Sequence, residues 1–159
     1  MPASLPQMID SYLAGVRTLR QAVAGMTRDQ LCARPVAGKW STLEVVCHLA
    51  DFEPILADRM KRVIALDRPA LFSADENRFA ASLAYHDRDA EEELALVEQT
   101  RRQMARILRA QPAEVLTRVG VHNQAGPRTL EQLLAGATKH IVHHVQFIAD
   151  KRRALGLPA

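Results

Sequence analysis

Four segments of the sequence carry apolar residues spaced by three and four over several turns, and this restricts the chain to an all-α fold in which four long helices share a core. The first runs from about Ser4 to Ala24 and places Leu5, Met8, Ile9, Tyr12, Leu13, Val16, Leu19 and Val23 on one stripe. The second opens at "WSTLE", where Ser41 can accept the amide proton three residues on while Glu44 reaches back, a capping box. Its stripe continues through Val45, Leu49, Phe52, Leu56, Met60 and Val63 to about Leu66, and Pro54 inside it predicts a kink or a local adjustment. In the third, "DRDAEEE" repeats the capping spacing with Asp89 and Glu92, Leu94, Val97, Met104 and Leu108 form the buried stripe, and Pro112 lies beyond the end. The fourth starts at "RTLEQLL" with Thr129 and Gln132 as the cap pair. It passes Ile148 and reaches "KRRALGLP", where Lys151, Arg152 and Arg153 suit a helix C-terminus and Gly156 suits a stop.

The connections are unequal. Between the second and third helices, "DRPALFSADENRFAASLAYHD" is too long for a turn and has room for a short helix after Ser73. A long crossover there lets those two helices run parallel, as some four-helix bundles require. The stretch "VGVHNQAGPR" before the fourth helix is rich in turn formers and reads as a loop. With no internal repeat and no composition break, residues 1–159 read as a single four-helix bundle domain. The net charge of +3 comes from 21 basic and 18 acidic residues mixed along the chain, which is not the concentrated basic stripe of a nucleic-acid binder. No apolar run approaches a membrane span, and "MPASLPQMID" lacks the charged and apolar regions of a signal peptide, so a soluble cytoplasmic protein is expected. Cys32 and Cys47 make no disulfide framework, and Cys47 falls in a helical apolar pattern that suits a packed thiol.

The segment "KHIVHHVQFIAD" concentrates His140, His143 and His144 in the fourth helix. At about 100° per residue, His144 falls near the middle of the apolar face and His140 toward its edge one turn earlier, while His143 is rotated away. Two rings one turn apart can converge on a divalent ion, and neutral imidazole suits zinc, nickel, copper or ferrous iron. Two ligands seldom suffice, and His48 in "EVVCHLAD" is the candidate third from the second helix. Three protein nitrogens leave positions open for water, the pattern of a catalytic site. Spacing alone equally allows ordinary core histidines, each with its own hydrogen-bond partner. The glutamate that follows the first histidine of a zincin helix is missing, so a protease gets no support.

Together, "GKWSTLEVVCHLADFE" and "TLEQLLAGATKHIVHHVQFI" resemble the DinB-like superfamily of damage-inducible and thiol-transferase-like four-helix proteins, over most of the chain. The anchors are the Trp-Ser-x-x-Glu-x-x-x-His-Leu entry to the second helix and the His-x-x-His-His segment of the fourth. The resemblance implies an up-down-down-up bundle with a divalent metal, zinc or nickel, on His48, His140 and His144. It also implies a homodimer and a small-molecule substrate. The reaction it suggests is transfer of a low-molecular-weight thiol, or hydrolysis.

Around that site, Glu44 lies one turn before His48 and is the candidate catalytic acid–base group, although its cap already accounts for it. Trp40 suits a hydrophobic staple. Arg101 interrupts the third stripe and is expected to snorkel or, failing that, to face the cavity and hold an anionic group. Asp51 is expected at the surface, and His86 and His122, both in connections, are candidates for the site entrance. The competing function is a non-catalytic metal- or ligand-binding stress-response protein, which a fourth protein ligand closing the site would favour.

Overall fold

The computed structural model describes residues 3–158. Its four long helices are α1 (Leu5–Val23), α3 (Thr42–Ala65), α5 (Ala90–Arg109) and α6 (Leu130–Ala154), joined by the short α2 (Arg28–Cys32) and α4 (Glu76–Ser82). Local chemistry sets their starts. Ser4 with Gln7, Ser41 with Glu44 and Thr129 with Gln132 form reciprocal capping boxes, each satisfying two amides the helix cannot. Asp89 caps α5 by accepting from the amides of Glu91 and Glu92. Helix α3 continues unbroken through Pro54, which lies on its exposed side. At the far end of α6, Gly156 takes the left-handed φ of 71° that ends a helix.

Two core clusters fix the helix directions. One joins Leu5, Ile9 and Tyr12 of α1 with Met60 and Val63 of α3, Met104 and Leu108 of α5, and Leu130 and Leu134 of α6. The other joins Leu19 with Val45 and Leu49, Leu94 and Val97, and Ile141 and Ile148. The start of α3 therefore sits beside the start of α5 and beside the ends of α1 and α6. This is an up-down-down-up bundle, with α3 and α5 parallel as the long crossover allows.

The crossover contains α4, as the room after Ser73 suggests, and also an element that periodicity does not show. Strand β1 (Ala70–Leu71) pairs parallel with β2 (Val119–His122), which pairs antiparallel with β3 (Gly126–Thr129). The stretch read as a loop is thus a hairpin. Its strands are too short for an alternating pattern to be recognised, and Pro127 stands on the edge strand β3, where a missing amide is tolerated. The sheet covers the C-terminal end of α3: a Cβ on Gly120 would lie 2.8 Å from both Leu71 and Val63, and Arg118 donates to the carbonyls of Val63 and Leu66. Among the described residues, no helix is long and apolar enough to cross a membrane.

Arg101 neither snorkels nor faces a cavity. It is wholly buried and ties its own helix, α5, to the other three long ones. From α5 it donates to the carbonyl of Tyr12 on α1 at 2.5 Å, to Glu53 Oε2 on α3 at 3.0 Å and to the carbonyl of Ala137 on α6 at 2.7 Å. The Tyr12 hydroxyl donates to Glu53 Oε1 at 2.7 Å, and the guanidinium stands 4.3 Å from the centre of the Tyr12 ring. Room for it comes from Gly15, where a Cβ would meet Arg101 Nη1 at 2.5 Å.

Candidate metal centre

The antiparallel contact of α3 and α6 brings His48 against the pair one turn apart on α6. One ring nitrogen from each of His48, His140 and His144 lies within 4.8 Å of the other two. His48 is fully buried, its ring 5.3 Å from that of Trp40 and 4.5 Å from that of Phe52. His140 and His144 are half-buried; His143 is exposed and outside the group of three, although its ring stands 5.2 Å from that of His144.

The donor set suits a divalent ion. Burial drives the imidazoles toward their neutral forms, with pKa values near 4 for His48, 3 for His140 and 4 for His144, and the rings' mutual repulsion depresses His140 and His144 further. Neutral imidazoles are the form that ligates. His48 Nε2 and His140 Nε2 are 3.0 Å apart, and the Nδ1 atoms of both rings are buried without a hydrogen-bond partner. The two rings satisfy each other at Nε2 while one of them carries its proton there, and moving that proton to Nδ1 frees both Nε2 lone pairs for a cation. Lone pairs converging on one point are what a cation would use.

The same shifts predict a pH dependence for chelator-treated protein. The folded pKa values lie below the ordinary 6.5, so between pH 6.5 and about 4 the unfolded chain binds protons that the folded chain does not. Stability therefore falls as the pH drops through that window, by about 1.4 kcal/mol per pH unit for a fully buried imidazole and less for a partly exposed one. Urea midpoints measured between pH 7.5 and 4.5 check this; a flat profile would contradict it.

On its open side the cluster faces a cavity of about 550 Å³, lined by Trp40, Glu76, Asn77, Phe147, Lys39 and Lys151 as well as by His140, His143 and His144. Glu76 is the one carboxylate in that lining, and its Oε2 stands 3.8 Å from His48 Nε2. A larger hollow of about 710 Å³ between α1 and α5 contains no histidine or cysteine.

The other expected residues lie elsewhere. Glu44 holds its cap, accepting from the Ser41 amide at 2.7 Å, and both its oxygens take bonds from Arg34. Burial raises its pKa, but the Arg34 and Ser41 bonds outweigh that and leave it below the usual carboxylate range. Its carboxylate is not among the groups that converge with the histidines. His86 pairs with Ser41 Oγ at 3.0 Å, and His122 accepts from the amides of Gln124 and Ala125 in the hairpin turn, so neither lines the entrance. Asp51 is not a surface acid: it accepts from Arg88 at 2.7 Å with most of its side chain covered. Cys47 is packed as expected, with its Sγ donating to the Tyr85 carbonyl and its thiol pushed up to about 12 by burial. Trp40 lines the cavity against His48 in addition to packing on Val45.

Glu76 and Lys151 are the site residues that sequence reasoning missed. Both occupy helix ends where their charge matches the dipole, and that local explanation hid them.

Comparison with known proteins bears on the family and the fold. The family model of the DinB superfamily matches residues 13–148. The chain is 29% identical over 139 residues to "Putative metal-dependent hydrolase YfiT" of Bacillus subtilis, covering 87% of this chain and 78% of that one. It is 28% identical to a "Putative metal-dependent hydrolase" of Geobacillus thermodenitrificans, covering 93% and 86%. The solved structure of YfiT, described as a probable metal-dependent hydrolase with an unusual four-helix bundle topology, superposes with a TM-score of 0.89 at 26% identity, over 97% of this chain and 89% of that one.

Proposed function

The chain belongs to the DinB superfamily, and on that premise we propose that it is a metal-dependent hydrolase with His48, His140 and His144 as the ligands. The observation that carries the reading is the convergence of three neutral ring nitrogens at the wall of a cavity of about 550 Å³, a volume suited to a small-molecule substrate. A divalent ion there, zinc or nickel, would supply Lewis acidity, polarising a scissile carbonyl and acidifying a nucleophile.

The chain's own residues supply the remainder. His48 is held between Trp40 and Phe52, which fixes its ring and keeps water from one side. Glu76 is the lining carboxylate placed to take the proton that the attacking nucleophile loses and to return it to the leaving group. Trp40 and Phe147 give the cavity apolar walls. The converging histidines number three among the described residues, which favours an open coordination sphere over a closed binding site.

Transfer of a low-molecular-weight thiol to an electrophile is the second reading, supported by a cavity with space for two small molecules side by side. Elemental analysis of protein purified without a metal column, followed by assay against esters, amides and thiol–electrophile pairs, tests both. Close to one ion per chain with ester or amide turnover is the expected result. An ion with thiol transfer alone selects the second reading, and a chain that takes up neither zinc nor nickel refutes both. Glu76→Gln is expected to leave metal content unchanged and to lower kcat by roughly 10²-fold or more, the usual contribution of a positioned acid–base group.

A further inference from the structure

Lys151 is the most unusual charge in the molecule. It lies in the last turn of α6, where an exposed lysine would complement the helix dipole, yet only 3% of it is exposed. A buried ammonium ordinarily has a carboxylate partner. Among the described residues Lys151 forms no ion pair, and its hydrogen bond is to the carbonyl of Phe147 at 3.2 Å. Its neighbours do not neutralise it: Asp150 and Glu44 act from a distance, and Lys39 opposes them with a like charge. Burial is the largest influence on its pKa, which is lowered.

The position of the ammonium is informative. Nζ turns back along α6 to donate to the Phe147 carbonyl, and Lys151 lines the same cavity as His140 and His144. Lys39 lines that cavity too, whereas Glu76 stands beside His48. The cavity is therefore acid-bearing at the crossover wall and basic at the C-terminal end of α6.

Resting on the hydrolase reading above, we propose that Lys151, assisted by Lys39, is the anchor for a substrate carboxylate, so that the protein acts on small molecules bearing a carboxylate beside the bond that reacts. A bound carboxylate would supply the counter-charge that the fold withholds from Lys151. The selectivity is for charge, because an amide or ester in the same place would leave the ammonium unpaired.

Trp40, the one tryptophan of the chain, lines the cavity and reports on its occupancy by fluorescence. The test titrates succinate into the full-length protein at constant ionic strength, with succinamide and inorganic phosphate in parallel and metal content measured in every sample. Saturable quenching by succinate, absent with succinamide, is expected, and Lys151→Met is expected to weaken it at least tenfold with the metal content unchanged. Succinate is also expected to raise the Tm of the wild type and not of Lys151→Met, a readout that does not depend on the fluorescence of the variant. Equal affinity in the two proteins, or no saturable response in the wild type, overturns the proposal. A stronger response to phosphate than to succinate overturns the assignment to a carboxylate. A wild type that holds no metal before the titration and takes up neither zinc nor nickel refutes the hydrolase reading instead, so the two failures are separable.

Discussion

Replacing Arg101 with methionine should cost the fold about 3–5 kcal/mol, the usual penalty for stranding one member of a buried ion pair. Methionine keeps much of the side-chain volume and removes the charge. What remains is the Glu53 carboxylate, fully buried, with the Tyr12 hydroxyl still donating to Oε1. The carbonyls of Tyr12 and Ala137 also lose their guanidinium donors. Glu53→Gln alone should cost a comparable amount, because it leaves the guanidinium without its counter-charge. The double variant should cost clearly less than the sum of the two, since neither charge is then left alone. Urea unfolding of the three variants beside wild type measures this directly. A cost below about 1 kcal/mol for Arg101→Met would show that the network does not hold the helices together. The metal content of the folded fraction should not change in any of them, which separates support of the fold from the chemistry.

The second large effect concerns the ion. Alanine at His48, His140 or His144 should lower metal affinity by at least about 100-fold, the upper figure for losing an outer-shell partner and so a lower bound for losing a ligand. Any metal-dependent rise in Tm should vanish with it. That rise is worth about 2.7 kcal/mol when the free ion stands at one hundred times its dissociation constant. His143→Ala and His86→Ala are the controls. The first ring is exposed on α6, and the second is bonded to Ser41, so both variants should retain stoichiometric metal. If His143→Ala loses the ion and His144→Ala keeps it, the helical facing of the cluster is wrong.

The bundle and the three histidines were legible because both are written in helical periodicity, which is local. Ser41, Asp89 and Thr129 mark helix starts, and the stripes between them say which faces are buried. His140 and His144 sit on such a stripe, and His48 lies beside the one marked by Leu49 and Phe52 on the second helix. The Arg101–Glu53 pair was not read, although a signal existed: each charge interrupts an apolar stripe, and the two are opposite in sign. The stripes alone do not say that the two positions meet across the bundle. Lys151 and Glu76 were hidden for a different reason. A base at a helix end and an acid at a helix start are sufficiently explained by the dipole, and burial or a facing cavity becomes visible only in three dimensions. The sheet escaped because pairing between Ala70 and Val121 joins segments 51 positions apart, and neither strand is long enough to announce itself.

The crossover helix α4 contributes Glu76 and Asn77 to the cavity and is anchored to the core only through partly buried residues, Phe79 and Ala80. The histidines, by contrast, stand on helices whose opposing faces hold the bundle together. Part of the cavity wall thus resides on a helix that adds little to the core, and the proposed ligands on helices the core is built from. Divergence within such a lineage would then proceed by rewriting the exposed face of α4, between the buried anchors Leu71 and Tyr85, with the bundle inherited intact. Grafting the crossover of a relative onto this chain would be the corresponding engineering route.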